Sequence, residues 1–170
     1  MALDPRTPVL VGAGQVTSRP DPTVPLERRP EPLALMVESL RAAAEDCDGS
    51  PAGGGAGPGD RLLRRADSLA VVGSFGWPAP KPGLLVARAL GIAPGELLLT
   101  GTGGNSPQAL LHRAARAIGR GEMEVALVVG AEGMYTRLAA RRPDPPVQLD
   151  WTYQPVEGTP APVHLGRDRE

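Results

Sequence analysis

Apolar residues along this chain alternate between two patterns: short unbroken runs, and longer stretches in which they recur every three or four positions. Pro8-Val-Leu-Val-Gly12 is a run of the first kind, stopped by glycine, and it predicts a buried first strand. Leu33, Met36, Val37, Leu40, Ala43 and Ala44 have helical spacing, so a helix with one apolar face is expected from Pro32 through Asp46. Proline at its start removes an N–H that the first turn leaves unpaired anyway. Asp67 to Gly73 predicts a second strand, and Pro82 to Leu90 a second helix with Leu84, Leu85, Val86 and Ala87 inward and Gly91 as its stop. Glu96 to Thr100 reads as a third strand. A helix then opens at Asn105-Ser106-Pro107, where a capping side chain is expected to precede a proline at the first helical position. Leu110, Leu111, Ala114, Ala115 and Ile118 line its apolar face, and Glu124 to Gly130 follows as a fourth strand. Strands this uniformly apolar want burial on both faces. The alternation therefore predicts an α/β fold with a mostly parallel sheet covered by helices.

Two stretches break the pattern. Gly49 to Gly59 is almost wholly glycine, proline, serine and alanine, and it predicts a flexible insertion. After Tyr135 the periodicity fades. Residues 138–170 read as a Pro-rich loop region or tail, in which Val147, Leu149, Trp151, Tyr153, Val156 and Val163 are anchors without a convincing strand or helix. The organised part is expected to be residues 1–137.

Composition narrows the function. Glycine and proline make up about a quarter of the chain, a level at which loop-like segments are expected. Eighteen basic and nineteen acidic residues leave a net charge of -1 with no long run of either sign, so no nucleic-acid partner is expected. The Arg28-Arg29, Arg64-Arg65 and Arg141-Arg142 pairs read as solvated loop charges rather than phosphate contacts. One cysteine, Cys47, excludes an internal disulfide and a cysteine-based metal site, and fits a reducing compartment. No apolar run reaches the ~20 residues of a membrane span, and no signal segment follows Met1, so a cytoplasmic location is expected.

Candidate chemistry is sparse. Gly12-Ala-Gly14 lacks the third glycine of a dinucleotide fingerprint, since Thr17 stands there, and reads as a tight turn. Thr100 to Ser106 is a glycine-rich strand-to-helix turn without the lysine of a phosphate-binding loop, and is either a pocket or a structural turn. His112 and His164 have no nearby partner that would make either a base or a metal ligand. Cys47 ends a helix, where the dipole does not favour a thiolate.

Six segments taken in order resemble the N-terminal part of a thiolase, or acetyl-CoA acetyltransferase, most closely its sterol-carrier-type branch. They are Val9 to Gly14, Ala42 to Asp46, Asp67 to Gly73, Gly103 to Leu110, Ala114 to Glu122 and Val125 to Met134. Aligning Gln108-Ala109 with the family's Gln-Ala places the nucleophilic cysteine of thiolases at Gly103, so the resemblance implies no catalytic residue here and no thiolytic activity. It implies a pocket for acyl-CoA or CoA with Gly103, Gly104 and Asn105 at its floor, no tightly bound cofactor and no metal. It also implies that the half-fold is incomplete. The family's histidine loop and second cysteine belong to a C-terminal half, and neither occurs before Glu170. A homodimer mate or a partner protein, such as a small OB-fold protein, is expected to cover the open face. Three alternatives remain: a non-catalytic accessory half-domain, part of an aldolase acting on β-hydroxyacyl-CoA thioesters, and an unrelated α/β ligand-binding domain.

Overall fold

A computed structural model describes residues 4–19, 21–48, 57–153 and 163–165. Within these residues α1 (Pro32–Asp48) and α2 (Pro58–Arg64) precede strand β1 (Ser68–Val71), after which α3 (Pro82–Leu90), β2 (Glu96–Thr100), α4 (Ser106–Arg120), β3 (Ala126–Val129), α5 (Met134–Ala140) and β4 (Val163–Leu165) follow in turn. The sheet order is β3-β1-β2-β4. All three pairings are parallel, with Leu69 opposite both Leu97 and Leu127. The expected α/β architecture is thus present, and α3 and β2 have the bounds read from the sequence.

The two faces of the sheet are covered unequally. Leu69, Val71 and Val129 point to the side of α1 and α3, where they join Met36, Leu40, Leu85, Val86 and Trp77 in the main core. Ala70 and Leu98 point to the other side and meet Leu110 of α4. Fully burying a side chain such as Leu69 or Met36 contributes roughly 1.5–3 kcal/mol, so the first face holds most of the stability. α4 accordingly buries only Leu110 and Ala117, and Leu111, expected on its apolar face, is 46% exposed. α3 and α4 both end on a left-handed glycine, Gly91 and Gly121.

Four expectations are corrected. Pro8 to Gly12 is not a strand: Val9 and Leu10 are 71% and 79% exposed. Its neighbour is a helix, because Gly12 and Gly14 lie so close to the Ala43 and Ser39 carbonyls of α1 that no side chain fits there. A helix offers no ladder to pair with, so the apolar triplet gains nothing from being extended. Gly57 to Gly59, expected as the end of the insertion, instead starts α2, and Gly59 is buried on α1. Residues 49–56 lie outside the described part. Beyond Tyr135 the chain continues helical to Ala140. The tail, expected to hold no strand, contributes β4, which pairs with β2, while Trp151 enters the main core as one of its expected anchors.

Asp67 fastens the lower edge of the sheet. Its carboxylate accepts from the Glu124 and Val125 N–H groups at 2.7 and 3.0 Å. The Val125 bond and then the Glu124 bond hold its pKa below the ordinary aspartate value. A depressed folded pKa gives stability that is fully present above the unfolded value of about 4 and is lost as pH falls through the folded one. Asp67→Asn should therefore cost about 1 kcal/mol at pH 7, allowing for the carboxylate's exposure. Urea unfolding at decreasing pH should show the gap to wild type closing below about pH 4.

Candidate functional site

Ligands of open parallel sheets gather where neighbouring strands send their chains to opposite faces. Here that place lies between β1 and β2: β1 leads into α3 on the main-core face, and β2 leads into α4 on the other. A cavity of about 490 Å³ opens at the carboxyl ends of these two strands. Met36, Val71, Trp77, Pro80 and Leu99 give it an apolar wall, and Ser74, Thr100 and Thr102 supply hydroxyls.

Local bonds hold the cavity open. Thr100 is buried, and its hydroxyl accepts from the Gly73 N–H at 3.2 Å, tying the two strand ends together. The loop after β1 wraps around Glu132, which follows β3. That carboxylate accepts from the Phe75 and Gly76 N–H groups at 2.9 and 2.8 Å, from the Ser74 hydroxyl at 3.2 Å and from the Gly133 N–H at 2.8 Å. Arg137 of α5 donates to the Phe75 carbonyl at 3.0 Å. Trp77 is held by its indole N–H, which donates to the Thr152 carbonyl at 2.9 Å, and Thr152 in turn donates twice to Glu31. The returning tail thus braces Trp77, a wall of the site, from behind.

The glycine-rich turn lies at the rim. Gly101 and Thr102 line the cavity, whereas Gly103, Gly104 and Asn105 follow them in the exposed turn. The helix begins at Ser106, with Pro107 second. Contrary to expectation, Asn105 makes no side-chain cap. Ser106 instead donates its hydroxyl to the Gly101 carbonyl at 3.0 Å, and its N–H bonds to the Gly103 carbonyl. These bonds close the turn without using a side chain at position 103. A side chain there would meet only Asn105 Oδ1 and Ser106 Oγ, both at 3.3 Å.

The other sequence candidates lie elsewhere. His112 is exposed on α4 beside Gln108, and His164 pairs with Leu99 in β4. Cys47 is half-buried near the end of α1, against Gly12. Among the described residues, no three His, Cys, Asp or Glu side chains gather where they could hold a metal ion, and no helix is long and apolar enough to cross a membrane. Sequence reasoning misses Glu132 and Trp77. The available signals are an acidic residue three places after a wholly apolar strand, and one of only two tryptophans set among prolines.

No family model matches the sequence, and no curated protein does. A similar solved structure is that of a monomeric SCP2-thiolase like protein type 1 from Mycobacterium smegmatis, at 32% identity and a TM-score of 0.59. The match covers 76% of this chain and 24% of that protein, so the chain spans about a quarter of the length of its structural relative. The chain therefore has a thiolase-like fold relationship, on the SCP2-thiolase branch, over three quarters of its length.

Proposed function

We propose that this chain binds an acyl thioester of the acyl-CoA class in the crevice between β1 and β2 and holds it without forming an acyl-enzyme. The supporting observation is the pairing of an apolar, hydroxyl-rimmed cavity at the strand ends with a strand-to-helix turn that has glycine where the resemblance places the nucleophile. An acyl chain suits the wall of Met36, Val71, Trp77 and Leu99, and Thr100 and Thr102 give the thioester carbonyl donors at the mouth. With no thiol at position 103, a bound thioester meets no thiolate in the turn, and the Ser106 hydroxyl is engaged with Gly101.

Trp77 gives the test a signal, since it is buried and lines the cavity. Butyryl-CoA should change tryptophan emission saturably, and free CoA should do so at least tenfold more weakly. The thioester should be recovered intact, with no released thiol. Equal responses to both compounds would sink the acyl assignment, and released thiol would sink the non-covalent one.

A further inference from the structure

The two edges of the sheet differ. β4 covers the edge of β2, whereas among the described residues β3 pairs with β1 alone. The Val125 and Val129 carbonyls accept from the Ser68 and Val72 N–H groups at 3.4 and 2.8 Å. Successive residues of a strand turn their backbone groups to opposite sides, so Ala126 and Val128 direct theirs to the free edge. Native edge strands are normally blunted by a charge, a proline or a bulge. β3 reads Ala-Leu-Val-Val and has neither charge nor proline, and three of its four residues are half-exposed where β1 is buried throughout.

A second unpaired segment runs beside this edge. Arg6 reaches the turn that leads into β3, where a Cβ on Gly121 would lie 3.7 Å from the Arg6 Cδ. Ser18 and Arg19 line the same cavity as Glu132 and Gly133, which follow β3. Between these ends Gly12 and Gly14 pack on the Ala43 and Ser39 carbonyls of α1, and Pro32, at helical spacing on that flank, meets Gly133. The segment therefore follows β3 from its start to its end, with α1 on one side and the other side open. Val9, Leu10 and Val11 are exposed, and their N–H and C=O groups have no partner among the described residues.

We infer that the open side between β3 and Val9–Val11 is a docking groove for one β-strand of another polypeptide, an extended uncharged segment that bonds to both walls and turns apolar side chains toward α1. Two facing rows of backbone donors and acceptors are satisfied together only by a strand with both edges free. Neither wall carries a charge between Val9 and Val11 or along β3, so a charged segment gains nothing there. A second copy of the chain cannot fill both walls. Its β3 has one edge held by β1, and its Val9–Val11 has α1 on one side.

The probe is an acetylated, amidated heptapeptide of alternating Thr and Val, which is uncharged and presents one apolar face. Calorimetric titration of the 170-residue chain should show saturable binding with Kd below about 0.1 mM. Amide exchange at Ala126 and Val128 should slow at least tenfold relative to Ala70 of β1. N-methylating the Thr set or the Val set removes the donors of one edge of the peptide, and either change should weaken binding at least tenfold without altering the chain. Leu10→Pro and Val11→Pro remove adjacent N–H groups that point to opposite sides of an exposed segment. At least one of them should weaken binding tenfold. No binding below about 10 mM, a loss confined to one methylated set, or wild-type binding by both proline variants overturns the proposal. Self-association of the chain alone that protects Ala126 and Val128 also overturns it, by assigning the edge to a second copy.

Discussion

Trp151→Ala should lower the unfolding free energy by about 3–5 kcal/mol, the usual range for truncating a large buried aromatic side chain. Against the roughly 5–15 kcal/mol typical of a domain, that would leave the variant marginal. The expectation rests on where the indole sits. Trp151 is 7% exposed and belongs to the main core although it comes from the proline-rich tail. Its ring tip lies over Gly133, where an added Cβ would come within 2.7 Å of Trp151 Cη2 and 3.0 Å of Pro32 Cγ. Gly133→Ala alone should therefore cost about 1–3 kcal/mol by overpacking. The combination Gly133→Ala with Trp151→Ala should cost less than the sum, because removing the indole removes the main clash. Urea unfolding followed by far-UV circular dichroism reads all three variants without depending on tryptophan signal. A loss below about 0.5 kcal/mol for Trp151→Ala, or simple additivity, would show that the tail does not pack as described.

That prediction marks the boundary of what can be read from the chain. α1, α3, α4 and strands β1 to β3 are visible in the sequence because each helix carries a periodic apolar set and each strand an unbroken apolar run, and for these a local pattern is enough. Trp151 is a long-range anchor: its partners Gly133 and Pro32 lie far back in the chain, and no local period announces them. Val9 to Val11 fails for the opposite reason. Its local pattern is that of a strand, but a strand exists only with a ladder partner, and α1 occupies the adjoining space. The site divides in the same way. The glycine-rich turn is legible because a strand-to-helix turn leaves a compositional mark. Glu132, which gathers four donors from residues as distant as Ser74, is visible only once the strand ends are brought together. Outside the site, Arg29, half-buried and bonded to the Asp21 and Val24 carbonyls, stays hidden because a doublet of arginines says nothing of the burial of one member.

Gly103→Cys should place a reactive thiol at the head of α4, and it tests the correspondence of this turn with the thiolase turn. The substitution is sterically admissible, since the neighbours of a Cβ at 103 are the ends of two polar side chains that can give way. Its position just before a 15-residue helix puts the sulfur near unpaired N–H groups and the positive end of the dipole. A helix N-terminus lowers a thiol pKa from about 8.5, and about one unit is a reasonable share for an exposed turn. At pH 7 that raises the thiolate fraction about eightfold. Intrinsic nucleophilicity falls with pKa, so the net gain in rate is about threefold. With Cys47→Ser in the same chain, iodoacetamide alkylation against pH should report a single midpoint at about 7.5. Incubation with butyryl-CoA should then add a butyryl group to the protein mass: the introduced thiolate attacks the thioester carbonyl and CoA thiolate leaves. The acyl group should persist, because His112 does not line the crevice and its ring is bonded to Gln108 on the exposed side of α4. Acylation that needs the apolar wall, and is therefore reduced by Leu99→Asp, would join the turn and the crevice into one site. A midpoint at about 8.5, the ordinary thiol value, with no acyl adduct would mean that position 103 lies outside the reach of both the helix end and the bound thioester, and the turn would be a structural feature alone.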